Sequence, residues 1–170
     1  MSIASRRGYD FEQQWEEALK NEGYDWIYKV NDARSMKGFN LPYAPKVPFD
    51  FMAAKYKIIE FFECKQTRQT ALPIDAIKPH QLDNLLRLEE LGFDCWFVIN
   101  FNNRIKTKEG RINKVWKIKA SVMNDMINTT VFNLNRKSIA RDRFMNMGWV
   151  TGYFEAYEWT KVNEYVWVKQ

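Results

Sequence analysis

Pro48-Phe49-Asp50-Phe51-Met52-Ala53-Ala54-Lys55-Tyr56-Lys57-Ile58-Ile59-Glu60-Phe61, closed by Phe62-Glu63-Cys64-Lys65, decides how the rest of the chain is read. An acid leads into a turn, and an apolar strand then ends in acid-x-base. Val47–Met52 and Lys57–Lys65 are rich in β-branched and aromatic residues, and Ala54-Lys55 between them predicts the turn of a hairpin. Side chains alternate faces along a strand, so Ile59, Phe61, Glu63 and Lys65 share one face. Pairing of the two arms brings Asp50 to the same spot.

Two carboxylates and an ammonium at one sheet edge suit phosphodiester hydrolysis. Carboxylates hold Mg²⁺, which prefers oxygen ligands and keeps several waters. Such an ion acidifies a bound water and offsets charge gathering on phosphate, and a lysine beside it steadies the transition state. The plain alternative is a solvated strand end with an ordinary Glu-x-Lys pair, since 28% of the chain is charged. The surrounding sequence has to separate the two.

A chain of 170 residues, 46% hydrophobic and 16% aromatic, predicts one globular domain over 1–170 with a proper core. Lys+Arg 26 against Asp+Glu 21 gives +5, a modest basic excess that suits a polyanion. Cys64 and Cys95 each sit in an apolar run, which predicts buried thiols in a reducing compartment and no disulfide framework. The single histidine, His80, argues against His-based metal sites. With no apolar leader and no run of membrane-spanning length, the expectation is a cytoplasmic protein with no membrane partner.

Arg7 to Glu22 reads as a helix whose Phe11, Trp15, Ala18 and Leu19 form one stripe, stopped by Gly23. Glu12 stands beside that stripe, either as a solvated acid or as a third carboxylate over the metal. Trp26–Val30 reads as a short strand. Residues 31–48 follow without period, carrying Arg34, Lys37 and Lys46, three prolines and two aromatics; so long a connection is usually functional or disordered. Gln66 to Thr70 reads as a polar loop able to meet phosphate. A helix begins near Pro79, with His80 and Gln81 in its first turn and Gly92 at its end. The near-continuous apolar run Asp94–Phe101 predicts a central strand buried on both faces, and Val115–Ile118 another strand. Ser121–Ile127 and Lys137–Met145 read as short helices, and the basic cluster Arg136, Lys137, Arg141 and Arg143 at the second reads first as a solvated helix face and only then as a DNA contact. The aromatic tail Tyr153–Trp167 is expected to pack on the core or a subunit interface, and 120–170 is the least defined part. Together the elements predict an α/β fold, a mixed central β-sheet flanked by helices.

Helix with an acid, acid, E-x-K strand, then helix is the core order of the PD-(D/E)xK nucleases, and the wording resembles their RecU-type Holliday junction resolvases. Arg7-Gly8 with Phe11-Glu12 is similar to the family's opening. Asp50 precedes Glu63-Cys64-Lys65 by the family's separation, where Glu-Ala-Lys is usual. Gln66-Thr67-Arg68, Leu72-Pro73 and His80-Gln81 match its post-lysine loop and His-Gln helix, and Lys137-Ser138-Ile139 with Gly152 its Lys-Ser-Ile segment. Two departures stand out: the family's stalk is shortened to 31–48, and Pro48-Phe49 replaces the usual threonines.

The resemblance implies a restriction-endonuclease-like core with a short stalk-like protrusion, acting as a homodimer on branched, four-way DNA with Mg²⁺, or Mn²⁺ in its place. It implies Asp50, Glu63 and the Cys64 carbonyl as metal ligands, Lys65 at the attacking water or the phosphate, and Glu12 at the metal directly or through water. Arg7, Arg34, Lys37, Lys46, Gln66, Arg68 and Gln81 become the DNA-binding candidates. The competing readings are a nuclease of the same superfamily acting on linear duplex, and a non-catalytic DNA-binding module of the same fold.

Overall fold

The computed structural model describes residues 3–30, 47–107, 110–130, 135–145, 154–162 and 164–169. Seven strands form one sheet in the order β1-β2-β3-β5-β6-β8-β9. They are β1 (Trp26–Lys29), β2 (Phe51–Lys55), β3 (Ile58–Thr67), β5 (Asp94–Thr107), β6 (Gly110–Lys119), β8 (Phe154–Val162) and β9 (Glu164–Lys169). β4 (Ala71–Pro73) and β7 (Ser138–Ala140) pair separately. β3 and β5 run parallel and every other pair antiparallel, so the sheet is mixed. The expected α/β fold is the one found.

The β3–β5 crossover is made by α2 (Pro79–Glu90), as a parallel pair requires. β5 is the central strand, and Cys95 to Phe101 are buried throughout. On one sheet face α1 (Ile3–Asn21) seats Phe11, Trp15, Ala18 and Leu19 against Phe51, Ala53, Phe62, Trp96 and Val98. On the other, Leu85 of α2 and Met123 and Met126 of α3 (Ala120–Asn128) pack with Phe61, Phe97, Ile99, Trp116 and Phe144 of α4 (Arg141–Met145). Gly92 takes φ +90 beyond α2, where its amide and that of Phe93 reach back to the Glu89 and Leu88 carbonyls. That left-handed cap is one glycine adopts without strain.

Glu89, near the end of α2, closes another helix. Its two carboxylate oxygens accept from the backbone amides of Ala120 (3.0 Å) and Ser121 (2.9 Å), the first turn of α3. Those amides have no partner inside their own helix, and the negative charge also complements the helix dipole. Glu89→Ala is expected to lower stability by about 1–2 kcal/mol, readable as a lower urea midpoint with an unchanged slope.

Three local expectations are corrected. The hairpin turns at Tyr56-Lys57, both at positive φ (52 and 69), and Ala54-Lys55 belong to β2. The register Lys55↔Ile58 leaves a two-residue loop, and right-handed strand twist selects that turn geometry even without Asn or Gly. Gln66 and Thr67 extend β3 beside Asn100 and Phe101 rather than opening the loop. Lys137–Met145 is helical only from Arg141; Ser138–Ala140 pairs with β4, and that partner wins over local helical preference. The aromatic tail supplies β8 and β9, widening the sheet. The stalk-like segment lies outside the described residues up to 46.

Candidate functional site

The site is built by one hairpin and finished by two helices. Asp50 sits one residue ahead of β2 and is held there by its backbone. Its amide donates to the Phe62 carbonyl (2.9 Å), and its carbonyl accepts from the Val30 amide (2.8 Å). Phe49, just before it, meets the Phe61 ring edge-on at 4.9 Å. The Cys64 amide donates to Asp50 Oδ2 at 2.7 Å, which ties the acid to the strand that carries Glu63.

Phe51↔Phe62 is the last paired position of that hairpin, so Asp50 and Glu63 follow it side by side. Lys65 lies two residues on, on the same face, and its Nζ donates to Glu63 Oε1 at 2.6 Å. The convergence expected of Asp50, Glu63 and Lys65 is therefore present. Lys65 Nζ also donates to Gln81 Oε1 at 2.9 Å, so the first turn of α2 steers the ammonium. Glu12 is on α1 nearby but turned to Lys29, with Oε2 2.8 Å from Nζ.

Burial governs the electrostatics here. Removal from water pushes Asp50 up to about 6; the Glu12 charge adds to this, while the Cys64 amide, Lys65 and Lys29 oppose it. Glu63, 1% exposed, is pushed up to about 8 by burial first and by Asp50 second, against the pull of Lys65. Burial also pushes the Cys64 thiol well up, which makes it a packing group and not a nucleophile. Two acids this close in a dry setting call for a proton or a cation between them.

Glu63 Oε2 is buried and has no hydrogen-bond partner. Such an orphan is costly unless something fills its valence. The available donors are hard oxygens, Asp50 and Glu63, with the Cys64 carbonyl beside them, and Mg²⁺ takes few protein oxygens and keeps waters for the rest. The residues fit a divalent ion. Among the described residues no three His, Cys, Asp or Glu side chains stand together as a ready metal cage. That agrees with Glu12 being engaged by Lys29.

Between their ordinary values of 3.8 and 4.5 and the raised values of about 6 and about 8, the folded protein keeps protons on Asp50 and Glu63 that the unfolded chain releases. Metal-free stability from this pair is therefore full below about pH 4 and falls as pH rises through about 6 and about 8. In EDTA the melting midpoint should drop by several degrees between about pH 5 and pH 8. Added Mg²⁺ should restore most of the loss at the higher pH and little at the lower one. A midpoint flat in pH would mean that the acids are solvated.

Of the DNA candidates, Arg68 is exposed just beyond β3, Gln66 is half-buried in it, and Gln81 is occupied with Lys65. Arg34, Lys37 and Lys46 lie outside the described residues, as does the Arg7 side chain. Lys29 was not expected at the site, because nothing in the sequence ties β1 to Glu12. No helix among the described residues is long and apolar enough to cross a membrane.

The family described as RecU, Recombination protein U, matches residues 28–155. No curated protein matches the chain significantly. Among solved structures the chain is similar to Hjc from Archaeoglobus fulgidus, described as a Holliday junction resolvase from an archaeal hyperthermophile. The identity is 16% and the TM-score 0.39, over 68% of this chain and 90% of that one.

Proposed function

From the premise that this chain belongs to the RecU family, we propose that it is a Mg²⁺-dependent, structure-selective endodeoxyribonuclease resolving four-way DNA junctions by paired symmetric nicks. The observation that supports this most is the Asp50–Glu63–Lys65 convergence, with a buried carboxylate oxygen of Glu63 left unpartnered. Asp50, Glu63 and the Cys64 carbonyl are the groups that would hold the ion, with Glu12 joining through water and Mn²⁺ able to substitute. When bound, a divalent ion supplies an acidified water and neutralises charge on the phosphate.

The protein's own groups do the rest. Lys65, steered by Gln81, orients the attacking water or donates to the oxygen where negative charge gathers. Arg7, Arg34, Lys37, Lys46, Gln66 and Arg68 meet backbone phosphates, which fixes position without reading sequence. A homodimer of single-domain protomers places two such sites about a twofold axis, matching the symmetry of the junction.

The test compares a synthetic four-way junction with linear duplex of the same sequence, in Mg²⁺ and in EDTA. Paired nicks in the junction, in Mg²⁺ alone, are expected. Equal cutting of the linear duplex would make this a duplex endonuclease of the same fold. Binding without nicking in either Mg²⁺ or Mn²⁺ would make it a non-catalytic module.

A further inference from the structure

Trp26 and Tyr28 take no part in the carboxylate site. They occupy alternate positions of β1, so both side chains leave the same face of the sheet. Each is 48% exposed, a large apolar area to leave in water. Their rings stack 5° from parallel with centroids 5.9 Å apart. The neighbouring pairs Phe49–Phe61, Phe61–Phe93 and Trp15–Phe62 all meet edge-on. A parallel pair standing off a sheet offers flat π-surface rather than filling a core.

The register says which face this is. Trp26 pairs with Ala54 and Tyr28 with Met52, and these pair with Ile59 and Phe61 of β3. Glu63 and Asp50 continue the same alternation, so the rings stand on the face that carries both acids. β1 leads from Tyr28 through Lys29 to Val30, whose amide bonds the Asp50 carbonyl. Strand spacing puts Tyr28 about 8 Å from Asp50, Cα to Cα. From Trp26 to Val30 there is no acid, and Lys29 turns to the opposite face, where it pairs with Glu12.

We infer that Trp26 and Tyr28 form a stacking platform for a base beside the cut phosphate, one whose stack the branch point interrupts. This rests on the nuclease reading, because a strand cut at Asp50 and Glu63 must lie along this face. The platform continues that surface without a repelling charge. Stacking on rings also accepts any base, as an enzyme reading branch shape requires.

The probe is an immobile four-way junction carrying 2-aminopurine at each branch position in turn, bound in Ca²⁺ in place of Mg²⁺. Wild-type protein is expected to quench the fluorescence at one branch position. The Trp26→Ala/Tyr28→Ala protein should lose that quench and bind the junction about tenfold more weakly, within the range for base–aromatic stacking. Tyr28→Phe should keep both. Quench and affinity unchanged in the double variant overturn the platform, as does a fall in its mass on gel filtration, which would make these rings an interface between copies. If the wild type neither binds nor nicks the junction, the nuclease reading itself fails. If it nicks while the double variant quenches normally, only the platform fails.

Discussion

A Glu63→Gln protein is expected to cut a four-way junction at least about 10²–10³-fold more slowly than the wild type, yet to bind it undiminished. Glutamine keeps the shape of a side chain that is 1% exposed but cannot carry its charge. A cation then faces one acid instead of two, and a loss of about 3–4 kcal/mol of electrostatic stabilisation gives the stated factor. The same change removes an acid that burial and Asp50 have pushed up to about 8. Metal-free Glu63→Gln should therefore melt higher than the wild type at about pH 8. Activity falls while stability rises, which separates loss of chemistry from loss of fold. Lys65→Ala should also stop cutting, but with lower stability, since Glu63 loses its donor. Single-turnover nicking and thermal melts read both; a Glu63→Gln protein cutting at the native rate would remove the site assignment.

The largest stability effect is expected on the opposite face. Glu60 accepts from Lys117 Nζ at 2.8 Å and Trp96 Nε1 at 2.7 Å, and its second oxygen accepts from the Tyr24 hydroxyl. Lys117, 4% exposed, lies over the Trp96 ring at 4.2 Å. Removing one member of a buried ion pair strands the other charge in a low dielectric, and Lys117→Met is expected to cost about 3–5 kcal/mol. Adding Glu60→Gln should recover part of this, because the stranded charge is then gone. Denaturant unfolding of the two single variants and the double one measures the coupling. A cost under about 1 kcal/mol for Lys117→Met would mean that water reaches the pair.

What could be read from the residues follows from distance along the chain. Asp50, Glu63 and Lys65 belong to one hairpin, where alternation and a short turn fix who faces whom. The Phe11–Trp15–Ala18–Leu19 stripe and the buried run at Cys95 to Phe101 were legible for the same local reason. Gln81 was named for DNA, but its hold on Lys65 depends on where α2 lands against β3, and no local pattern encodes that. Lys29 with Glu12, and Glu60 with Lys117, are pairs across separate elements; in the sequence they look like any charged residue. The hairpin turn was misplaced because neither tyrosine nor lysine advertises a left-handed backbone. Ser138–Ala140 read as helix because its strand partner, Ala71–Pro73, is remote in sequence.

The two-residue turn at Tyr56-Lys57 also bears on the order of folding events. A hairpin closes in about 1–10 μs, whereas pairing β3 with β5 must wait for a crossover helix and a larger loop. The acids are therefore expected to meet early in folding, because their hairpin is local in sequence. Lys65 travels on the same strand as Glu63, so a counter-charge arrives with the repulsion it relieves.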